Sequence, residues 1–136
     1  YGPMDRIFGT RKWVIFIGSL VSLVSLISLA LFNEISFSVA VFLFCTLGFF
    51  GMSYPLMIAH GRSFSPENLT GRCVTLLNMF AIGGVGIFQF LTGRIFSKLT
   101  EVHNNNHEAY TIIFLFYASA LFLGLILYLN SKDRLD

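Results

Sequence analysis

The chain has 136 residues, 55% of them hydrophobic and only 12% charged, with a mean hydropathy of +0.74. That is too apolar for an ordinary soluble domain and far too apolar for disorder. The net charge of +2 carries no nucleic-acid signal, because the basic residues lie where membrane topology wants them.

Four stretches contain no Asp, Glu, Lys or Arg: residues 13–32, 36–59, 73–93 and 109–129. Each is long enough to cross a hydrocarbon layer about 30 Å thick, which takes about 20 apolar residues of helix. Lipid offers backbone groups no partners, so helix is the expected form and an all-α polytopic membrane protein the expected class. A buried bundle in water would need a charged outer face on every helix, and none has one. Residues 1–12, 60–72 and 130–136 hold seven Lys and Arg residues, against only Arg94 and Lys98 in segments 33–35 and 94–108. The positive-inside bias therefore places both ends and the middle loop in the cytoplasm. The opening at Tyr1, without a signal sequence, reads as one piece of a longer polytopic protein.

The first span is leucine-rich, with Ser19, Ser22, Ser25 and Ser28 recurring every third residue as a small-residue seam for a neighbouring helix. The second contains Gly51 and Pro55. Proline lacks an amide donor and clashes with the carbonyl four residues back, so a kink is expected between them. The third span carries Gly83, Gly84 and Gly86, which suit close helix packing, and two amides, Asn78 and Gln89, that are costly to expose to lipid. Eleven residues apart, these amides share nearly one face, about 16 Å apart in height. That face either lines a cavity or hydrogen-bonds to neighbouring helices. The fourth span is leucine- and phenylalanine-rich, with Tyr110 and Tyr128 placed as interfacial anchors. The first and fourth spans thus read as peripheral and the second and third as central.

Between the second and third spans, Ser65-Pro66-Glu67 is a helix-start signal: an N-cap oxygen, a proline at the first position and an acid at the positive dipole end. A helix is expected from about Pro66, with a break at Gly71. Arg62 and Arg72 would sit at the membrane face, beside lipid phosphates.

With these features in place, the chain resembles the last four helices of a twelve-helix major facilitator superfamily transporter. One marker is the run from Gly2 through Asp5, Arg6 and Gly9 to Arg11 and Lys12, similar to that family's cytoplasmic loop signature, here with Thr10 set before Arg11. The other is Gly61-Arg62 through Gly71-Arg72 to Asn78, which looks like the link between the tenth and eleventh helices of bacterial members. The resemblance implies a bacterial inner-membrane protein, peripheral first and fourth spans, and second and third spans facing the preceding helices. It also implies that Asp5 and Arg6 belong to a cytoplasmic gate, with Asp5 approaching a helix N-terminus in the preceding half.

The remaining signals are weak. His103 and His107 have a metal-clasping spacing but no third ligand. The sequon Asn68-Leu69-Thr70 falls on the expected cytoplasmic side. Cys45 and Cys73 lie at different depths, too far apart for a disulfide, and read as packing residues. No nucleophile, paired carboxylate, phosphate loop or cofactor pattern stands at a workable depth, so neither an enzyme nor a cofactor is expected. The expected function is that of the C-terminal part of a secondary transporter moving a small solute by alternating access, with Tyr54, Asn78 and Gln89 lining its path. Its partners would be the lipid bilayer, the preceding helices and the solute. The alternative is a self-contained four-helix membrane subunit that scaffolds a partner.

Overall fold

A computed structural model describes residues 3–32, 36–103 and 106–134. A short helix α1 (Met4–Phe8) ends at Gly9, whose positive φ of 62° reverses the chain at the cost only glycine avoids. Then come α2 (Lys12–Leu31), α3 (Phe37–Gly51), α4 (Tyr54–Arg62), a single 3-10 turn (Glu67–Leu69), α5 (Thr70–His103) and α6 (Asn106–Leu129). No strand occurs among the described residues. Four segments are long and apolar enough to cross a membrane: Lys12–Leu31, Phe37–Arg62, Glu67–Glu101 and His107–Leu129.

The second span is broken where its sequence demands. Pro55 has no amide to give Gly51, and the chain passes from α3 to α4 through Met52 and Ser53. Tighter three-residue bonds bridge the break, from the Met52 amide to Phe49 O at 3.4 Å and from the Ser53 amide to Phe50 O at 3.3 Å. The break lets the two halves choose different partners. The α3 half lies on α2, whereas α4 packs chiefly on α5. With α5 on α6 and α6 on α2, sequence neighbours close a ring of four spans.

The hub of that ring is α2, not the glycine-rich third span. Ile15, Gly18, Ser19, Ser22, Leu23, Ser25 and Ala30 of α2 are buried, and Leu23 meets Ala118 and Leu125 of α6 in the apolar core. Among these four spans the first is therefore the most buried, although its composition reads as peripheral. Lipid tails are as apolar as leucine, so leucine content does not tell a lipid face from a protein face. The serine seam is the better guide. Ser22 donates back to Gly18 O at 3.1 Å and Ser25 to Val21 O at 2.9 Å, so both are satisfied within their own helix and pack as small neutral residues.

The third span is one unbroken helix of 34 residues. Gly71 lies in its first turn and does not interrupt it. Ser65 does not cap it either: Pro66 is extended, with ψ of 149°, and Ser65 Oγ bonds the Pro66 carbonyl at 3.4 Å instead. Contacts fall on one side of α5, where Phe88 stacks on Tyr117 at 6.0 Å, Phe96 meets Tyr110 at 5.4 Å and Leu77 meets Gly61. Gly83, Gly84 and Gly86 make no such approach: a Cβ at any of them would meet open space, as it would at Gly51. The close glycine is instead Gly61, where a Cβ would come within 2.6 Å of Leu77 Cδ1.

Two substitutions should separate these faces. Ser22→Leu, which overfills the buried seam, should cost about 1–3 kcal/mol in unfolding measurements on detergent-solubilised protein. Gly83→Leu in this four-span unit should be neutral, or more stable by up to about 1 kcal/mol through helix propensity.

Candidate functional site

Two places concentrate polar side chains. The first lies between α4 and α5, on the outside of the four spans, where Tyr54 at the start of α4 and Asn78 on α5 are joined, the Tyr54 hydroxyl donating to Asn78 Oδ1. Two of the three predicted path residues are thus brought together. Gln89 stands apart and exposed, three turns along α5. It borders an open groove of about 600 Å³ lined also by Leu26, Val85, Phe88, Tyr117 and Leu121. Gln89 therefore meets the fourth span's side of the bundle, while Asn78 is tied to the second span.

The second place is the end of the bundle where α2 begins and α4 and α6 finish. Helix starts leave amides without partners, and the start of α2 satisfies three of them unusually. The Trp13 amide donates to Thr10 Oγ1 at 3.2 Å, an ordinary local cap. The Lys12 and Arg11 amides donate to Asp133 Oδ1 at 3.0 and 3.3 Å, and the Thr10 hydroxyl donates to Asp133 Oδ2. A carboxylate more than a hundred residues away thus does the work of an N-cap. The exchange is mutual. Lys12 Nζ donates to Leu129 O and Ser131 O, both at 2.7 Å, placing a cation at the negative end of α6.

His60 completes this cluster. It is 3% exposed, and its Nε2 bonds Lys132 O at 3.0 Å. A carbonyl can only accept, so Nε2 donates there, and Nδ1 of the neutral ring accepts from the Tyr128 hydroxyl at 2.7 Å. Tyr128, read from sequence as an interfacial anchor, therefore binds inward, whereas Tyr110 is exposed as expected. Phe64 stacks edge-on against His60 at 5.2 Å, and the Arg134 guanidinium lies over the Phe64 ring at 5.0 Å.

The gate signature folds against this cluster. Asp5 is buried, and Arg11 Nε donates to its Oδ2 at 2.9 Å; Asp5 Oδ1 is buried without a partner among the described residues. The hydrogen bond from Arg11 holds the Asp5 carboxyl below the ordinary aspartate value, against the opposing push of burial. Asp5 is thus turned inward within this chain. Arg6 is exposed, as are Arg62, Gly71 and Arg72 at the turn between the second and third spans. Gly2 lies outside the described residues, as does the side chain of His103. Cys73 packs near Gly61 O at 3.8 Å, and Cys45 is exposed beside the first span.

His60, Tyr128 and Asp133 were not singled out together by sequence. His60 is the only histidine outside the 103–107 segment, which was the available signal. Asp133 carried none.

At Asp133, burial pushes the carboxyl up, but the Thr10 hydroxyl and the Lys12 and Arg11 amides outweigh it and hold the group below its usual value. A carboxyl lowered on folding stabilises fully above its unfolded value of about 3.9 and loses that contribution as pH falls through the folded one. The thermal midpoint in detergent should therefore fall between about pH 5 and about pH 3, and fall less in Asp133→Asn. At neutral pH, Asp133→Ala should cost about 0.5–1 kcal/mol, the low end for a cap because water screens this carboxylate.

In comparisons with known proteins, no family model, no curated protein and no solved structure matches the chain.

Proposed function

We propose that this chain is the C-terminal part of a secondary transporter of the major facilitator type, which moves a small solute across a bacterial inner membrane by alternating access. The observation that carries the reading is the uncovered face of α5. A helix long enough to span a membrane presents Gly83 and Gly86 where an added Cβ would meet open space, and the exposed amide of Gln89 borders an open groove beside them. An amide in hydrocarbon is costly, so that side belongs against further protein or a water-filled path. Two features support the same reading. The second span is broken beside Tyr54, and interrupted helices are a recurrent device at transporter binding sites. The basic residues gather at the end holding the Asp5–Arg11 pair, which suits a cytoplasmic face.

In this reading Tyr54, Asn78 and Gln89 face the solute path, the helices preceding this segment cover α5, and any proton-coupling carboxylate lies among them. The third span contains no Asp, Glu, Lys or Arg between residues 73 and 93, where such a group would sit on the path-facing helix.

Cysteine accessibility tests it in the intact protein, with Cys45 and Cys73 replaced by Ala. A membrane-impermeant thiol reagent should label Gln89→Cys and Gly86→Cys and spare Phe122→Cys on the exposed face of α6. Gln89→Cys as inert as Phe122→Cys would remove the path and leave the scaffold subunit. In vesicles, Asn78→Ala should slow solute uptake by about tenfold, the scale of one lost hydrogen bond in a dry site.

A further inference from the structure

The second span is two helices with different loyalties. Its first half, α3, is held by α2; its second half, α4, rides on α5 and touches α2 only lightly. At the hinge, Ser53 O accepts from the Leu56 and Met57 amides of α4 at 3.0 Å, but toward α3 Met52 and Ser53 make long three-residue bonds at 3.4 and 3.3 Å, and Pro55 leaves Gly51 O without its helical donor. Nothing within the second span itself therefore fixes α4 relative to the α2–α6 pair.

What fixes it is the last turn of α6 and the segment after it. Residues 130–134 run from the end of α6 across His60, at the end of α4, to the start of α2. His60 is gripped from both ring nitrogens, by Tyr128 of α6 and by the Lys132 carbonyl. Asp133 then anchors the segment on the Arg11 and Lys12 amides and the Thr10 hydroxyl. Arg134 closes it over Phe64, just beyond α4.

We propose that residues 128–134, from Tyr128 in the last turn of α6 onward, are a strap that holds α4 against the first and fourth spans, and that releasing His60 from the strap frees α4 to swing about Met52 and Ser53. The inference concerns the mechanics of the fold and stands whether or not the chain serves a transporter. The strap acts through named, separable contacts, so it can be loosened from two sides without touching α4. Tyr128→Phe removes one hydroxyl, and Asp133→Ala removes the anchor.

Amide hydrogen exchange in the intact protein in nanodiscs reads the result. Each variant should raise exchange across residues 56–63 by about tenfold, while α3 and the middle of α2 keep their protection. Unchanged exchange in residues 56–63 in the conservative Tyr128→Phe variant would overturn the strap. A uniform rise over all four spans in that variant would overturn it as well, since it would mean general destabilisation and no local release.

Discussion

The ends of the first and fourth spans complete each other. Asp133 supplies the negative charge that the start of α2 lacks, and Lys12, one residue inside that start, supplies the positive charge that the end of α6 lacks. Each helix end has unpaired backbone groups that its own neighbours in sequence do not fully serve. Reciprocal service brings the first and last spans side by side, and the ring of four closes there. The buried contact of Leu23 with Ala118 and Leu125 continues the same seam into the apolar interior. The polar exchange at the helix ends and the apolar packing between them thus mark the same pairing.

This arrangement divides the molecule into a firm pair and a looser pair. The pair α2 and α6 shares the core and the end-to-end polar exchange. The pair α4 and α5 is joined by Gly61 against Leu77 and by the Tyr54–Asn78 hydrogen bond, with α5 also reaching α6 through aromatic contacts. The break at Met52 and Ser53 is what allows one span to belong to both. An unbroken second span would have to follow α2 for its whole length or leave it altogether. Pro55 is therefore an architectural residue whatever the protein transports or scaffolds.

Much of this was legible in the residues and some was not. The charge-free stretches locate the spans because hydrocarbon tolerates so few charges, and Pro55 locates the break because its chemistry is local. The helical segment does begin just after Pro66, but without the expected cap, since an extended Pro66 turns the Ser65 hydroxyl away from the amides it would cap. Which of these four spans is most buried was not legible either. Glycines permit close approach without compelling it, and the neighbours of α5 chose the opposite side, where Phe88 and Phe96 offer larger aromatic surfaces. The Tyr54–Asn78 pairing followed from neither residue alone, although both stood out as polar groups at depth. The Asp133 cap was beyond reach, because it joins residues 121 apart and has no periodic or spacing signature.

The length of α5 has a mechanical meaning. At 34 residues it measures about 50 Å, well beyond the hydrocarbon thickness, and its charge-free portion ends near Gly93. The last turns, bearing Arg94, Lys98 and Glu101, therefore continue the helix beyond its charge-free portion. Arg94 lying over Phe90 at 4.9 Å stiffens its base. Such a rod is a lever: a slight tilt near the bilayer midplane becomes a large sweep at the tip, on the face remote from the strap. The Phe96–Tyr110 contact would carry that sweep directly into the first turns of α6.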